Sequence, residues 1–241
     1  MALAMEKRER IREVFEKFLH NRVKTIRRLK ITDLDINPFL IRLLAYELGL
    51  NNSKAIVTWL IHQRLERGIV SSFGTALQSV ARVFTEGNPA EGADVLKRKG
   101  NIPYHIQVKS GPNAIPKDLA VRISELLRSA QRRNRGSVAL YGMCYGSRER
   151  VSSIVRKYVE QEGGIDWLTG REFWEFISDD PTCIDEVYAI AAEVSETFRD
   201  PQGQSLAEIL ESKIEELQGQ FEQFYGQSGN EMWENLLQHN S

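Results

Sequence analysis

Three side chains near the middle of the sequence have the types and spacing that a reactive site would need. In the segment Tyr104-His-Ile-Gln-Val-Lys-Ser, the two-residue alternation of a strand sends His105, Gln107 and Lys109 to one face and Tyr104, Ile106 and Val108 to the other. A lysine beside a buried strand is costly to desolvate unless an anion accompanies it. Asp94, thirteen residues before Gln107 on what reads as the neighbouring strand, is the evident partner. Charge alone favours a structural Asp94–Lys109 pair without chemistry.

Other reactive types make weaker constellations. His105 shares the strand face, but a histidine in this position reads as a hydrogen-bonding neighbour and not as a general base. His20, His62 and His239 lack metal-ligand spacing. Ser71, Ser72 and Ser110 have no evident His-Asp relay. Cys144 and Cys183 are too few for a disulfide framework or a structural zinc site, so both read as reduced packing residues.

The elements that must hold Asp94, Gln107 and Lys109 are legible from pattern. Residues 6–29 show helical spacing through Ile11, Val14, Phe15, Phe18 and Leu19. Asn37-Pro38 reads as an N-cap and first helical residue of a helix that stops at Gly49. Ser53 opens another helix, stopped by Gly68. Ser71 opens a third, carrying Phe73, Ala76, Leu77, Val80, Ala81 and Phe84 as its apolar stripe. The pattern then becomes extended: residues 91–97 and 104–110 read as antiparallel strands joined at Lys99-Gly100-Asn101. Pro116 opens a helix with Leu119, Ile123, Leu126, Leu127 and Ala130 inward, ended by Gly136. Ser137–Tyr145 is apolar on both faces, as a strand inside a sheet is. From residue 147 the chain reads as helical, and Leu210, Ile214, Leu217, Phe221 and Phe224 form a short heptad-like seam, either packed on its own domain or forming a dimer contact.

At 241 residues and 41% apolar composition, the chain can bury a real core, which excludes disorder and fibrous repeats. Lacking an apolar run of membrane-spanning length and a signal-peptide start, it reads as a soluble, cytoplasmic protein with no membrane association. The net charge of −1 conceals a split. Residues 1–150 carry 27 Lys/Arg against 14 Asp/Glu, and residues 151–241 carry 5 against 19. Such asymmetry suggests that the first part faces a polyanion. The basic stretches are Arg22–Lys30, Lys97–Lys99, Arg128–Arg135 and Arg148–Arg150; Lys97 and Lys99 suit backbone contact, and Arg148 and Arg150 suit base reading, since arginine pairs with guanine best.

Gly92-Ala93-Asp94 followed by Gln107-Val-Lys109-Ser-Gly-Pro-Asn113 resembles the bipartite signature of the PD-(D/E)xK nuclease superfamily, in particular type II restriction endonucleases. Ser72-Phe-Gly-Thr-Ala-Leu resembles the helix that precedes the motif in one subgroup, which reads GC-rich sites of the GGNCC kind. Tyr141-Gly-Met-Cys-Tyr-Gly-Ser-Arg-Glu-Arg is similar to its following strand and basic loop, and Gly170-Arg-Glu-Phe-Trp-Glu-Phe-Ile to its C-terminal segment. The resemblance covers roughly residues 70–200. Two departures stand out. Gln107 occupies a position usually held by Glu or Asp, and Gln78 stands on the helix where an acidic residue is common; Glu86 or Glu91 are the candidates for the missing charge.

The resemblance implies an α/β fold: a restriction-endonuclease-like core with a mixed central β-sheet flanked by helices, plus N- and C-terminal helical additions. The expected regions are 1–70 (helical, for DNA contact or dimerisation), 71–160 (catalytic core) and 161–241 (acidic, helical, packed on the core). It further implies Mg²⁺-dependent phosphodiester hydrolysis leaving 5′-phosphates. Asp94, Gln107 and Lys109 would be catalytic, and Asp94, Gln107 and the Val108 carbonyl would ligate the metal. Ser110 and Asn113 of the post-lysine turn join Lys97, Lys99, Arg148 and Arg150 as DNA contacts. The implied partners are double-stranded DNA, a second copy in a homodimer, and a cognate DNA methyltransferase. The alternatives are a structure-specific repair or recombination nuclease of the superfamily, and a non-catalytic DNA-binding relative.

Overall fold

The computed structural model describes residues 3–112 and 115–240. The chain divides into two compact units, one formed by residues 1–16 and 71–197, the other by residues 17–70 and 198–241. This differs from the division expected along the sequence. Residues 161–197 belong with the sheet because they supply one of its strands, whereas residues 198–241 share a helical core with residues 17–70.

The first unit holds a four-stranded sheet in sequential order: β1 (Val95–Lys99), β2 (Ile102–Lys109), β3 (Val138–Met143) and β4 (Asp166–Thr169). The first pair is an antiparallel hairpin and the other pairs are parallel, so the sheet is mixed, as expected. β4 escaped the sequence reading because four residues carry too little periodicity to register. Between β2 and β3 runs α4 (Lys117–Arg133). Its inward residues are Ala120, Ile123, Ser124, Leu127 and Ala130, of which Ala120, Ile123 and Leu127 pack with Tyr141 and Met143 of β3 and with Val155 and Val159 of a π-helical turn, Val155–Gln161. Leu119, expected inward, is partly exposed. Ser124 takes an inward place because its hydroxyl donates to the carbonyls of Ala120 and Tyr158 at 3.1 and 2.8 Å.

α5 (Arg171–Ser178) and α6 (Cys183–Thr197) complete this unit, together with the ends of two long helices, α1 (Met5–Arg28) and α3 (Ser53–Arg82). α3 is one helix of 30 residues and not the two expected. Gly68 does not stop it because a glycine ends a helix by turning left-handed, and Gly68 is absent from the glycines of positive φ. Inside a helix it costs only about 1 kcal/mol relative to alanine.

The second unit is helical: α2 (Pro38–Leu48), α7 (Leu206–Tyr225) and α8 (Gly229–His239), with the remaining parts of α1 and α3. Asn37 caps α2 by accepting from the Leu40 amide, and Gly49 ends it in the left-handed conformation, as the sequence indicates. Ile214, Leu217 and Phe221 of the heptad-like seam are buried in this unit's own core with Ile26, Ile41 and Ile61, whereas Phe224 at the end of the seam is exposed. Among the described residues no helix is long and apolar enough to cross a membrane.

On the sheet's edge strand, Lys97 is buried and donates to Glu86 and Asp179, both at 2.5 Å. Burial pulls its pKa down, but the two carboxylates outweigh that and hold it above its usual value. Glu86 is raised by burial yet lowered more by Lys97 and the Arg98 amide, so it lies below its usual value. Asp179 is lowered by Lys97 and Lys99.

Two outcomes are expected. A side chain at Gly142 would meet the Phe173 ring at 2.4 Å, so Gly142→Ala should cost about 1–3 kcal/mol, read as a lower urea midpoint. The carboxylate contribution of the Lys97 cluster is complete above their unfolded pKa near 4 and is lost as pH falls through their depressed folded values; that of Lys97 is complete below about 10.4 and fades at more alkaline pH. Lys97→Met should therefore lower the midpoint at pH 7, with the gap to wild type narrowing below about pH 4. An unchanged gap would remove the cluster from the stability of the fold.

Candidate active site

Asp94 lies one residue before β1, where its amide donates to the Ile106 carbonyl at 2.7 Å and extends the hairpin by one step. It is delivered there by a turn at Gly92, whose φ is +88° and whose Cβ, if present, would lie 2.6 Å from Leu126 of α4. Only glycine suits both constraints. From this position Asp94 Oδ2 accepts from the Val108 amide at 2.9 Å and from Gln107 Nε2, and Oδ1 accepts from Arg82 of α3. Asp94, Gln107 and Val108 are thus brought together.

The expected Asp94–Lys109 pairing is not what the structure shows. The cation on Asp94 is Arg82. The geometry accounts for this: the antiparallel hairpin sets Asp94 beside Gln107, and α3 passes alongside with Arg82 in reach. Lys109 is half-buried and makes no ion pair among the described residues. The carbonyl of Val108 accepts from Gln78 at 2.8 Å, so the helix position expected to be acidic carries an amide that donates to the strand. Arg82 was missed from the sequence; the signal that could have found it is the four-residue interval of Gly74, Gln78 and Arg82, one helix face.

Neither candidate for the missing negative charge is placed at Asp94. Glu86 is engaged with Lys97 and the Arg98 amide, and Glu91 pairs with Arg133 at 3.3 Å. Among the described residues no three His, Cys, Asp or Glu side chains are grouped to hold a metal. His105 is buried, with Nδ1 accepting from the Ala90 amide at 3.2 Å, and burial followed by the nearby Arg98 lowers its pKa. It acts as a hydrogen-bonding neighbour, neutral at pH 7.

The ends of β2 and β3 lock together beyond Lys109. The Cys144 amide donates to the Lys109 carbonyl at 3.0 Å and the Tyr145 amide to that of Ser110 at 3.1 Å. Gly111 lies against the Tyr145 ring and Gly146 against Pro112, each too close for a side chain. Ser110 and Lys109 are held on this edge. Asn113 lies outside the described residues.

The expected DNA contacts are placed unevenly. Lys97 is buried in its carboxylate cluster, and Lys99 donates to Asp179 and lies over the Phe176 ring. Arg148 pairs with Glu172 at 3.0 Å above Trp167. Arg150 is exposed. Part of the charge split along the sequence is thus cancelled internally: acidic residues of the second half pair with basic residues of the first, as Glu186 and Glu193 do with Arg8, and Asp200 with Arg27.

A carboxylate, a backbone carbonyl, an amide and an ammonium with no ion pair among the described residues thus lie at one end of a hairpin in a mixed sheet. No curated protein matches the chain. The family model for type II restriction endonuclease EcoO109I matches residues 5–196, which span the sheet, the hairpin and the helix that carries Arg82. The chain belongs to the type II restriction endonuclease EcoO109I family.

Proposed function

We propose that this DNA-binding nuclease cuts both strands of a short, GGNCC-like duplex site with Mg²⁺, leaving 5′-phosphate and 3′-hydroxyl ends, at a PD-(D/E)xK-type centre formed by Asp94, Gln107 and Lys109. The observation that carries this reading is the convergence of the Asp94 carboxylate, the Gln107 amide and the Val108 backbone beside a half-buried Lys109 without an anionic partner among the described residues.

The donor set fits the cation. Mg²⁺ requires hard oxygens, often only one or two carboxylates, with waters and substrate phosphate completing the shell. Asp94 supplies the carboxylate and Gln107 its side-chain oxygen, the nitrogen being directed to Asp94. The Val108 carbonyl has a second lone pair beside the one used by Gln78. A Mg²⁺ held by these groups would supply charge neutralisation at the phosphate and a more acidic water. Lys109 would orient that water and offer its ammonium donors to the phosphate oxygens as charge develops, the water's proton passing to solvent. Water oxygen would bond to phosphorus as the bond to the 3′ oxygen breaks, and that oxygen would leave by taking a proton from a solvent water, giving the 3′ hydroxyl.

Lys99, Ser110, Arg148 and Arg150 would contact DNA, Arg148 by exchanging Glu172 for a base edge or a phosphate; Lys97 serves them by holding Asp179. Cutting both strands of a nearly palindromic site calls for two copies related by a two-fold axis. On the helical unit, α2 turns Phe39, Leu43 and Tyr46 to solvent, Tyr46 being 90% exposed. A second copy is the occupant that this argument favours for such a face. A cognate methyltransferase would protect the host's own sites.

Digestion of unmethylated phage DNA with and without Mg²⁺, followed by sequencing of the ends, is expected to give uniform ends only with the metal. Asp94→Ala and Lys109→Ala should each lower cleavage by at least about a hundredfold with the circular dichroism spectrum unchanged. Intact DNA under Mg²⁺ and Mn²⁺ alike, with binding retained, would instead identify a non-catalytic relative. The double substitution Leu43→Glu, Tyr46→Glu is expected to convert dimers to monomers in sedimentation; wild-type monomers would refute the dimer.

A further inference from the structure

One face of α3 follows the site along its length. Gly74 lies so close to the hairpin that an added Cβ would stand 3.2 Å from the Ser110 hydroxyl. One turn on, Gln78 donates to the Val108 carbonyl. A further turn on, Arg82 pairs with Asp94. The first two contacts are neutral and set the helix against the strand. The third places a cation on the oxygen that a metal would need.

The two partners differ in freedom. Asp94 has 11% of its side chain exposed, whereas Arg82 has 50%. A nearly buried carboxylate cannot be left without compensation, yet a half-exposed guanidinium on a long stem can leave at little cost. Oδ2 is held by the Val108 amide, part of the strand, and by Gln107. Oδ1 has Arg82, the one partner that can depart without disturbing the sheet.

Resting on the metal reading above, we infer that Arg82 is a positioning residue that balances Asp94 until a divalent cation replaces it, and that then turns to a DNA phosphate. A guanidinium and a divalent cation on one carboxylate oxygen repel each other, so metal entry must displace Arg82. Without DNA the displaced group, half-exposed already, turns to water. With DNA it gains a phosphate, whose oxygens match its fork of donors. Metal therefore binds weakly to the free protein and more tightly to its DNA complex, and by linkage DNA binding strengthens with metal in equal measure. In a site with a single carboxylate, this coupling keeps the metal from assembling a reactive centre away from substrate.

The test is titration of the full-length, DNA-free protein with Mn²⁺, followed by electron paramagnetic resonance of the free ion, for wild type, Arg82→Gln, Arg82→Lys and Asp94→Asn. Arg82→Gln should bind Mn²⁺ about three- to tenfold more tightly than wild type. Arg82→Lys, which keeps the charge, should fall between them, and Asp94→Asn should lose binding. At saturating Mn²⁺, Arg82→Gln should cleave at least about tenfold more slowly through kcat, because the phosphate loses its guanidinium. Equal Mn²⁺ affinity in wild type and Arg82→Gln, with Asp94→Asn still defective, would overturn the role of Arg82 and leave the metal site standing. Tighter Mn²⁺ binding with faster cleavage would show a plug with no transfer to phosphate, and would overturn it as well. No Mn²⁺ bound by wild type or Arg82→Gln, with or without duplex DNA, would refute the metal reading itself.

Discussion

A carboxylate held almost out of solvent is the constraint around which this site is built. A carboxylate so nearly buried needs donors on both oxygens, and the fold supplies them to Asp94 from three directions: the strand backbone through Val108, the strand side chain through Gln107, and the helix through Arg82. Each needs an accurate approach. The glycine at position 92 lets the chain turn under α4, and the glycine at 74 lets α3 settle against Ser110. These small residues act through the distances they permit.

The mixed sheet extends this logic to the rest of the site. Because β1 and β2 form a hairpin, Asp94 and Gln107 lie across from each other; because β2 and β3 are parallel, Lys109 comes level with Met143. The segments that follow both strands leave the sheet at the same edge. The packing of Gly111 on Tyr145 and of Gly146 on Pro112 joins them there. Lysine, serine and the basic loop thereby share one edge although about forty residues separate them in the sequence.

Charge is used twice in this protein. The excess of basic residues in the first 150 positions suggests a polyanion, and membership of a restriction endonuclease family agrees with DNA as that polyanion. Yet several of those cations are neutralised within their own units by acidic residues from the last 91 positions, including the Lys97–Asp179 and Arg148–Glu172 pairs. Burial separates the two uses. Lys97, nearly out of solvent, is bound to the fold, whereas Arg150 remains exposed.

Local pattern alone determined much of this protein. Periodicity placed α1, α2, α4 and the strands around Asp94 and Lys109, because apolar spacing, Asn37-Pro38 and the turn at Gly100 act over a few residues. The segment from Gly92 to Asn113 stood out by its resemblance to a nuclease signature, and hairpin geometry turns its spacing of thirteen residues into the Asp94–Gln107 contact. Other features depended on distant partners. Gly68 reads as a stop only until the helix on both sides proves continuous, and β4 is a strand only because β3 offers it an edge. Residues 198–241 join the helices of the first third, since Leu217 and Phe221 bury against Ile41 and Ile56 and not against the sheet they follow. Above all, the sequence offered Lys109 as the partner of Asp94, and the tertiary structure chose Arg82. Ion pairing is decided by which cation is carried within reach of an oxygen, and that reach is set by the packing of a helix against a hairpin.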